Sequence, residues 1–165
     1  MTTEIALPFT IHSTDRVWIF QADRPLNADE SQFITDAFQL FLPQWQAHGK
    51  PLRAQAAVVY EHMLLIAADE AFQTASGCSI DKLTHQVKKV GEGLNIDFFN
   101  RLNVLLFQPE TNTAQLIRQK ELKDKIAAQQ INPHSLVFNN VVSNGDELEK
   151  KWIQLAKETW LQRNF

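Results

Sequence analysis

The chain has 165 residues, of which 44% are hydrophobic and 21% are charged, and this composition excludes an intrinsically disordered chain. Its length predicts a single domain spanning residues 1–165. The formal net charge of −3, from 16 Lys and Arg residues against 19 Asp and Glu residues, disfavours nucleic acid as a partner, because a phosphate backbone requires concentrated cations.

The first predicted elements are a strand and a helix. Val17-Trp18-Ile19-Phe20 is β-branched and aromatic, and the turn-forming Asp23-Arg24-Pro25 ends it. Asn27 and Glu30 then have the spacing of a capping box, which predicts the start of a helix that Pro43 ends. The apolar positions of this helix recur at helical spacing: Phe33, Ile34, Ala37, Phe38 and Phe41.

A hairpin, a second helix and a further strand are predicted next. Residues 56–60 and 63–68 are short apolar runs separated by Glu61 and His62, which favours a β-hairpin. The second helix follows Ser76-Gly77-Cys78-Ser79, and Gly91 is expected to cap its C-terminus. Residues 98–107 predict the next strand. The apolar positions of the second helix step three and four residues apart: Ile80, Leu83, Val87 and Val90.

The order β-α-β-β-α-β over residues 16–108 predicts an α+β fold with a ferredoxin-like antiparallel sheet. Residues 109–165 are expected to form a C-terminal extension with two further helices, one over 113–128 and one from Ser143, and with a short strand at 136–138 between them. The second of these helices should carry Leu148, Trp152, Leu155 and Trp160 on one face, for core packing or a partner contact.

The two faces of the first strand are both apolar. Trp18 and Phe20 lie on one side, and Val17 and Ile19 lie on the other. In a ferredoxin-like fold the helices cover only one face of the sheet. The other face is therefore expected to meet the C-terminal helices, a second subunit or a ligand.

The predicted topology also suggests a thiol site. It places the loop 44–50 opposite the loop 69–79, at one edge of the sheet. Cys78 would then lie at a helix N-terminus, where the dipole favours a thiolate; His48 could accept its proton, and Asp69 could orient the imidazole. Alternatively, Cys78 is a small structural residue at a helix start capped by Ser79, and His48 belongs to a turn with Gly49.

Other candidate ligand sites are weaker. The same helix start could hold a small anion or nucleotide, although its polar residues equally suit caps and turns. Asp69 and Glu70 could share a proton or a divalent cation, or could simply end a strand in solvent. The histidines lack metal-binding spacing, so no metal or other cofactor is predicted. The candidate ligand-binding residues are Trp45, Ser76, Gly77, Ser79, Asp81, Asn139 and Asn140.

The cysteine content and hydropathy indicate a cytoplasmic protein. Cys78 is the single cysteine, so no internal disulfide forms and a secreted disulfide scaffold is excluded. The N-terminus lacks a signal-peptide pattern. The longest apolar run, residues 63–68, is six residues long, whereas a membrane span needs about 20. We expect no membrane or nucleic-acid partner. We expect the chain to form a homo-oligomer, and the sequence does not identify a small-molecule ligand.

Several segments resemble those of a family of uncharacterised bacterial proteins, known mostly from the Bacteroidetes lineage. They are Asp23-Arg24-Pro25-Leu26, Trp45-Gln46-Ala47-His48-Gly49, Ser76-Gly77-Cys78-Ser79-Ile80-Asp81, Phe138-Asn139-Asn140 and Trp160. Members are often labelled ABC transporter ATPases. ATP hydrolysis by that class needs a glycine-rich phosphate loop ending in Gly-Lys-Ser/Thr, whereas Gly49-Lys50 precedes a proline. The resemblance implies no activity, and it singles out His48 and Cys78.

The sequence therefore predicts a cytoplasmic binding or interaction domain that associates with itself. The alternatives are a thiol-dependent enzyme or redox sensor that uses Cys78 with His48, and an anion- or nucleotide-binding protein.

Overall fold

A computed structural model describes residue 5 and residues 7–165. The helices are α1 (Ala28–Phe41), α2 (Gly77–Leu94), α3 (Gln119–Ala127) and α4 (Gly145–Lys151). The strands are β1 (Arg16–Gln21), β2 (Gln46–Ala47), β3 (Lys50–Pro51), β4 (Arg53–Val59), β5 (Met63–Asp69), β6 (Val104–Gln108), β7 (Thr113–Ile117), β8 (Leu136–Phe138) and β9 (Ile153–Leu155). Within these residues, no helix combines the length and apolar character needed to cross a bilayer.

The first sheet is antiparallel, with the strand order β1-β5-β4. β4 and β5 form the predicted hairpin, which is confirmed, and Val59 pairs with Met63 at its closed end. Helices α1 and α2 cover one face, where Ile34, Phe38 and Leu83 pack against strand residues in one buried cluster. The capping box predicted for α1 is also confirmed, because the Asn27 side chain accepts from the Glu30 N–H and the Glu30 carboxylate accepts from the Asn27 N–H.

A second antiparallel sheet, ordered β7-β6-β8-β9, covers the other face of the first. Val17 and Leu65 of the first sheet share a buried cluster with Leu105, Phe107 and Trp152. Both faces of β1 are covered, as the sequence predicted: helices α1 and α2 lie on one face, and the second sheet lies on the other together with Leu148 of α4 and Trp152. The α+β class is confirmed.

The predicted fourth strand does not join the first sheet. The chain expected to be extended over 98–107 forms a strand only at β6, which pairs with β7 and β8. The ferredoxin-like topology is therefore not confirmed: three strands have its order and the fourth lies in the second sheet. The physical reason is that β6 is apolar on both faces. Leu105 and Phe107 face the first sheet, while Val104 and Leu106 join a third cluster on the outer side.

The two C-terminal helices are shorter than predicted. Residues Thr113–Ile117 form strand β7, and only Gln119–Ala127 are helical in the segment predicted as a helix over 113–128. The second helix, α4, ends at Lys151, so Leu155 lies in β9 and Trp160 begins a 3-10 helix, Trp160–Asn164. The prediction that one continuous helix carries all four residues on an apolar face is therefore wrong. The strand at 136–138 is confirmed.

The C-terminus of α2 also differs from the prediction. The helix continues past Gly91 to Leu94, and its C-cap residue is Asn95, whose φ of 55° is left-handed. Gly91 is instead buried where the chain folds back, because a Cβ there would lie 2.6 Å from the Ile96 carbonyl oxygen. The glycine permits this close backbone approach rather than capping the helix.

Candidate functional site

The segments predicted to form the thiol site do come into contact. The indole N–H of Trp45 donates a hydrogen bond to the Ser79 carbonyl at 2.7 Å, across 34 residues of sequence. Trp45 is only 1% exposed, so this bond lies in the core. The loop that follows α1 is thereby fixed against the first turn of α2.

The proposed catalytic side chains, however, are occupied by local structure or open to solvent. His48 and Gly49 form the two-residue turn between β2 and β3, and their φ values of 53° and 76° are the positive values that a type I′ turn requires. Cys78 is exposed. The Asp69 carboxylate accepts from the Ala71 N–H at 2.9 Å, which is a local turn. The hydrogen bonds among the described residues include none that joins these three side chains.

The polar residues at the α2 N-terminus satisfy one another. The Ser76 hydroxyl oxygen accepts from the Ser79 N–H at 3.1 Å, and the Ser79 hydroxyl oxygen accepts from the Ser76 N–H at 2.7 Å. This reciprocal capping box uses groups that an anion would otherwise bind. The neighbouring Gly77 and Asp81 are exposed. Glu70, the second carboxylate considered, accepts from the Ala75 N–H at 2.6 Å.

Asn139 and Asn140 lie at the opposite end of the first sheet. Asn140 donates to the Gln21 side chain at 2.8 Å, and Gln21 pairs with Met63 at the start of β5. Asp69 ends the same strand six residues later, which at ~3.3 Å per residue is about 20 Å away. The predicted ligand-binding residues therefore do not form one site. In the described part of the chain, no group of three or more His, Cys, Asp or Glu side chains could hold a metal ion.

Residues 97–103, which connect α2 to β6, form an ordered loop. The Asp97 and Asn100 side chains each accept from the backbone N–H two residues on, at 2.8 and 3.0 Å. Asp23 accepts from the Asp97 N–H, and Asn103 accepts from the Gln119 N–H, both at 3.0 Å. These bonds hold both ends of the loop and make its conformation local and specific.

Three depressions lie next to one another along this loop. A cleft of about 490 Å³ is lined by Asn100 and Asn103, and a groove of about 390 Å³ is lined by Leu102. A pocket of about 80 Å³ shares Asn100 and Asn103 with the cleft. Gln119 lines both the cleft and the groove, and Trp160 lines both the groove and the pocket. The shared lining residues make the three depressions one continuous surface.

Large apolar side chains stand exposed in this surface. Phe99 is 39% exposed, Leu102 is 47% exposed and Trp160 is 44% exposed. Phe99 packs edge-on against Phe20 at 5.8 Å between ring centroids, and the Arg163 guanidinium lies 5.4 Å from the Trp160 ring. We call the continuous surface formed by these three apolar side chains and the three depressions around them the Trp160 surface.

The charges that line the Trp160 surface are unbalanced. Among the residues that the structure describes, six cations line the depressions, against one carboxylate, that of Asp23. Among these cations Arg24 is paired: it donates to Glu30 at 2.9 and 2.5 Å and to the Leu94 carbonyl. The hydrogen bonds from Arg24, and then the one from the Asn27 backbone N–H, lower the pKa of Glu30 from 4.5 to about 2. The six cations are Arg24, Arg101, Arg118, Lys120, Lys123 and Arg163.

Sequence reasoning missed this surface because residues 98–107 looked like one strand. The available signal was the spacing of Asp97, Asn100 and Asn103, since Asp and Asn favour turns in which they accept from the N–H two residues on. The spacing of Trp152 and Trp160 predicts one apolar helix face, whereas in the structure Trp152 is fully buried and Trp160 is exposed.

Comparisons with models of known protein families, with curated proteins and with solved structures give no match to this chain. The resemblance to the bacterial family therefore stays a prediction, and the function is argued from the geometry.

Proposed function

We propose that this chain is a protein-interaction domain and that the Trp160 surface is its recognition surface. The observation that carries the proposal is the joint exposure of Phe99, Leu102 and Trp160 around adjoining depressions. Scattered single apolar residues on a surface need no explanation, whereas a contiguous group beside a groove is typical of a binding site.

The residue types suit a protein partner. Trp and Arg are among the residues that most often contribute the energetic hot spots of interfaces, and here Arg163 stacks on Trp160. Leu122 and Ile126 of α3 form the apolar side of the groove, beside Leu102. An apolar side chain of a partner inserted there would be removed from water on several sides.

The surface is also held in position before any partner binds. Leu161, only 1% exposed, anchors the turn that follows Trp160, and Thr159 caps that turn by accepting from the Leu161 N–H. The loop that carries Phe99 and Leu102 is fixed by the hydrogen bonds of Asp97 and Asn100. Such preorganisation lowers the entropy cost of binding.

Selection of a random peptide display library on the wild-type protein tests the proposal. Trp160→Ala should weaken binding of the selected peptides about tenfold or more, the effect of losing an interface hot spot. The matched control is Leu40→Ala, because Leu40 is a 74% exposed apolar residue on α1, outside the Trp160 surface. Thermal unfolding of each variant verifies the fold.

Peptides that bind wild type, Leu40→Ala and Trp160→Ala equally would contradict the proposal, as would a library that yields no binder. Phe99→Ala provides a second substitution in the same surface, and it should weaken the same peptides.

A further inference from the structure

We infer that the partner segment of the Trp160 surface is acidic and carries a large apolar anchor residue. This inference rests on the proposed function and adds the chemistry of the partner. It follows from the distribution of charge around the apolar side chains rather than from their exposure.

The charge of this surface is opposite in sign to that of the chain. The whole protein has 16 Lys and Arg residues and 19 Asp and Glu residues, yet six of the cations and one of the carboxylates line the three depressions among the described residues. One of these cations, Arg24, is neutralised by its ion pair with Glu30, which leaves five. The single carboxylate, Asp23, is already engaged by the Asp97 N–H at 3.0 Å. The surface is therefore a local cationic field on an acidic protein.

Helix α3 explains how this separation arises. Gln119, Leu122, Lys123 and Ile126 are spaced three and four residues apart, so they share the face that lines the groove. Glu121 lies off this face by its position in the helix, and its carboxylate accepts from the Arg118 N–H at 3.1 Å. This face of α3 thus combines the apolar Leu122 and Ile126 with the cation Lys123.

The cations surround the apolar centre and do not fill it. Arg118 and Lys120 line the cleft on one side of Leu102, while Arg101 lines the pocket beside Trp160. An apolar anchor in the groove would leave flanking Asp or Glu side chains within reach of this rim. Rim charges of this kind increase association rates and select the partner.

A protein segment fits these observations better than a nucleic acid. Single strands of nucleic acid stack their bases on open aromatic faces, and Arg163 already covers one face of Trp160. The net charge of −3 also repels a long polyanion, whereas a short acidic segment meets only the cationic rim.

The test selects peptides on the wild-type protein and compares their affinity for wild type with their affinity for the double variant Arg101→Glu/Lys123→Glu. Selected peptides should be enriched in Asp and Glu beside a large apolar residue. The double variant should weaken their binding about tenfold or more and should gain binding of the same peptides with Lys in place of Asp and Glu. Lys88→Glu/Lys89→Glu is the control, because it makes the same change in net charge at exposed positions of α2.

The outcomes separate the two proposals. Peptides that need Trp160 but show no acidic enrichment, and bind the double variant equally well, would overturn the inference and leave the interaction domain standing. Absence of any peptide that depends on Trp160 would overturn both. Single-stranded DNA that competes for the Trp160 surface more strongly than the selected peptides would overturn the inference in favour of a nucleic acid.

Discussion

The indole N–H of Trp152 donates a hydrogen bond to the side-chain oxygen of Asn140 at 2.8 Å, between the two sheets. Trp152 is fully buried, and the Asn140 side chain in turn donates a hydrogen bond to the Gln21 side chain of β1. One amide therefore satisfies the core tryptophan and links the end of β8 to the first sheet. Asn140 of the Phe138-Asn139-Asn140 segment has this structural role, and a ligand site there stays a prediction.

Asn140→Ala should destabilise the protein by about 1–3 kcal/mol, because it leaves the buried indole N–H of Trp152 without a partner. Asn139→Ala is the matched control: the Asn139 side chain donates to Gln154, which is half-buried, so the loss of this bond should cost less. Urea denaturation of both variants measures the difference. Equal losses in the two variants would contradict this role for Asn140.

Glu30 should make the free energy of unfolding depend on pH in the acidic range. Its pKa is lowered from 4.5 to about 2 when folded, first by the hydrogen bonds from Arg24, so its ionised form is favoured in the native state. Because the pKa is lower in the folded state, ionised Glu30 stabilises the protein above pH 4.5. That stabilisation is lost as the pH falls from 4.5 to about 2.

Urea midpoints of wild type and Glu30→Gln across this pH range should therefore converge as the pH falls. Asp29→Asn, in the same helical turn, controls for the removal of one negative charge. A constant difference between wild type and Glu30→Gln from neutral pH to pH 2 would be evidence against the ion pair.

Two glycines of α2 should respond in opposite directions to alanine. A Cβ at Gly93 meets no atom within 4 Å, so Gly93→Ala should stabilise the helix by about 0.5–1 kcal/mol. A Cβ at Gly91 would lie 2.6 Å from the Ile96 carbonyl oxygen, and Gly91→Ala should cost about 1–3 kcal/mol. Thermal unfolding distinguishes them, and a tolerated Gly91→Ala would show that the Ile96 backbone moves easily.

The thiol chemistry considered for Cys78 is open to a direct test. Cys78 is exposed at the second position of α2, so the native protein should be alkylated without denaturant. The interaction-domain proposal predicts the same alkylation rate in His48→Ala, because His48 serves the turn between β2 and β3. A several-fold slower reaction in that variant at neutral pH would instead support a Cys78–His48 pair. The rate in denatured protein is the reference for a free thiol.

Local elements were predictable because short-range physics determines them. The capping box of Asn27 and Glu30 needs only two side chains within one helical turn, and the β4–β5 hairpin needs two apolar runs with a short connection. The three-residue strand β8 was recognised for the same reason. In each case the partners that stabilise the element are close in sequence.

Strand pairing was less predictable because its partners are distant. The apolar residues of segment 98–107 fit a strand in either sheet, and nothing local specifies that β6 pairs with β7 and β8. The split into loop and strand depends on Asn100, which accepts from the Leu102 N–H in a turn, and on Asn103, which accepts from the Gln119 N–H far along the chain.

The amino-acid sequence by itself determined the α+β class, the helix start at Asn27 and the need to bury both faces of β1. Only the tertiary structure decided what covers the second face, and that Trp152 is core while Trp160, eight residues later, is exposed. The physical reason is that composition and periodicity specify which side chains must leave water. Their partners are specified by packing between residues far apart in the chain.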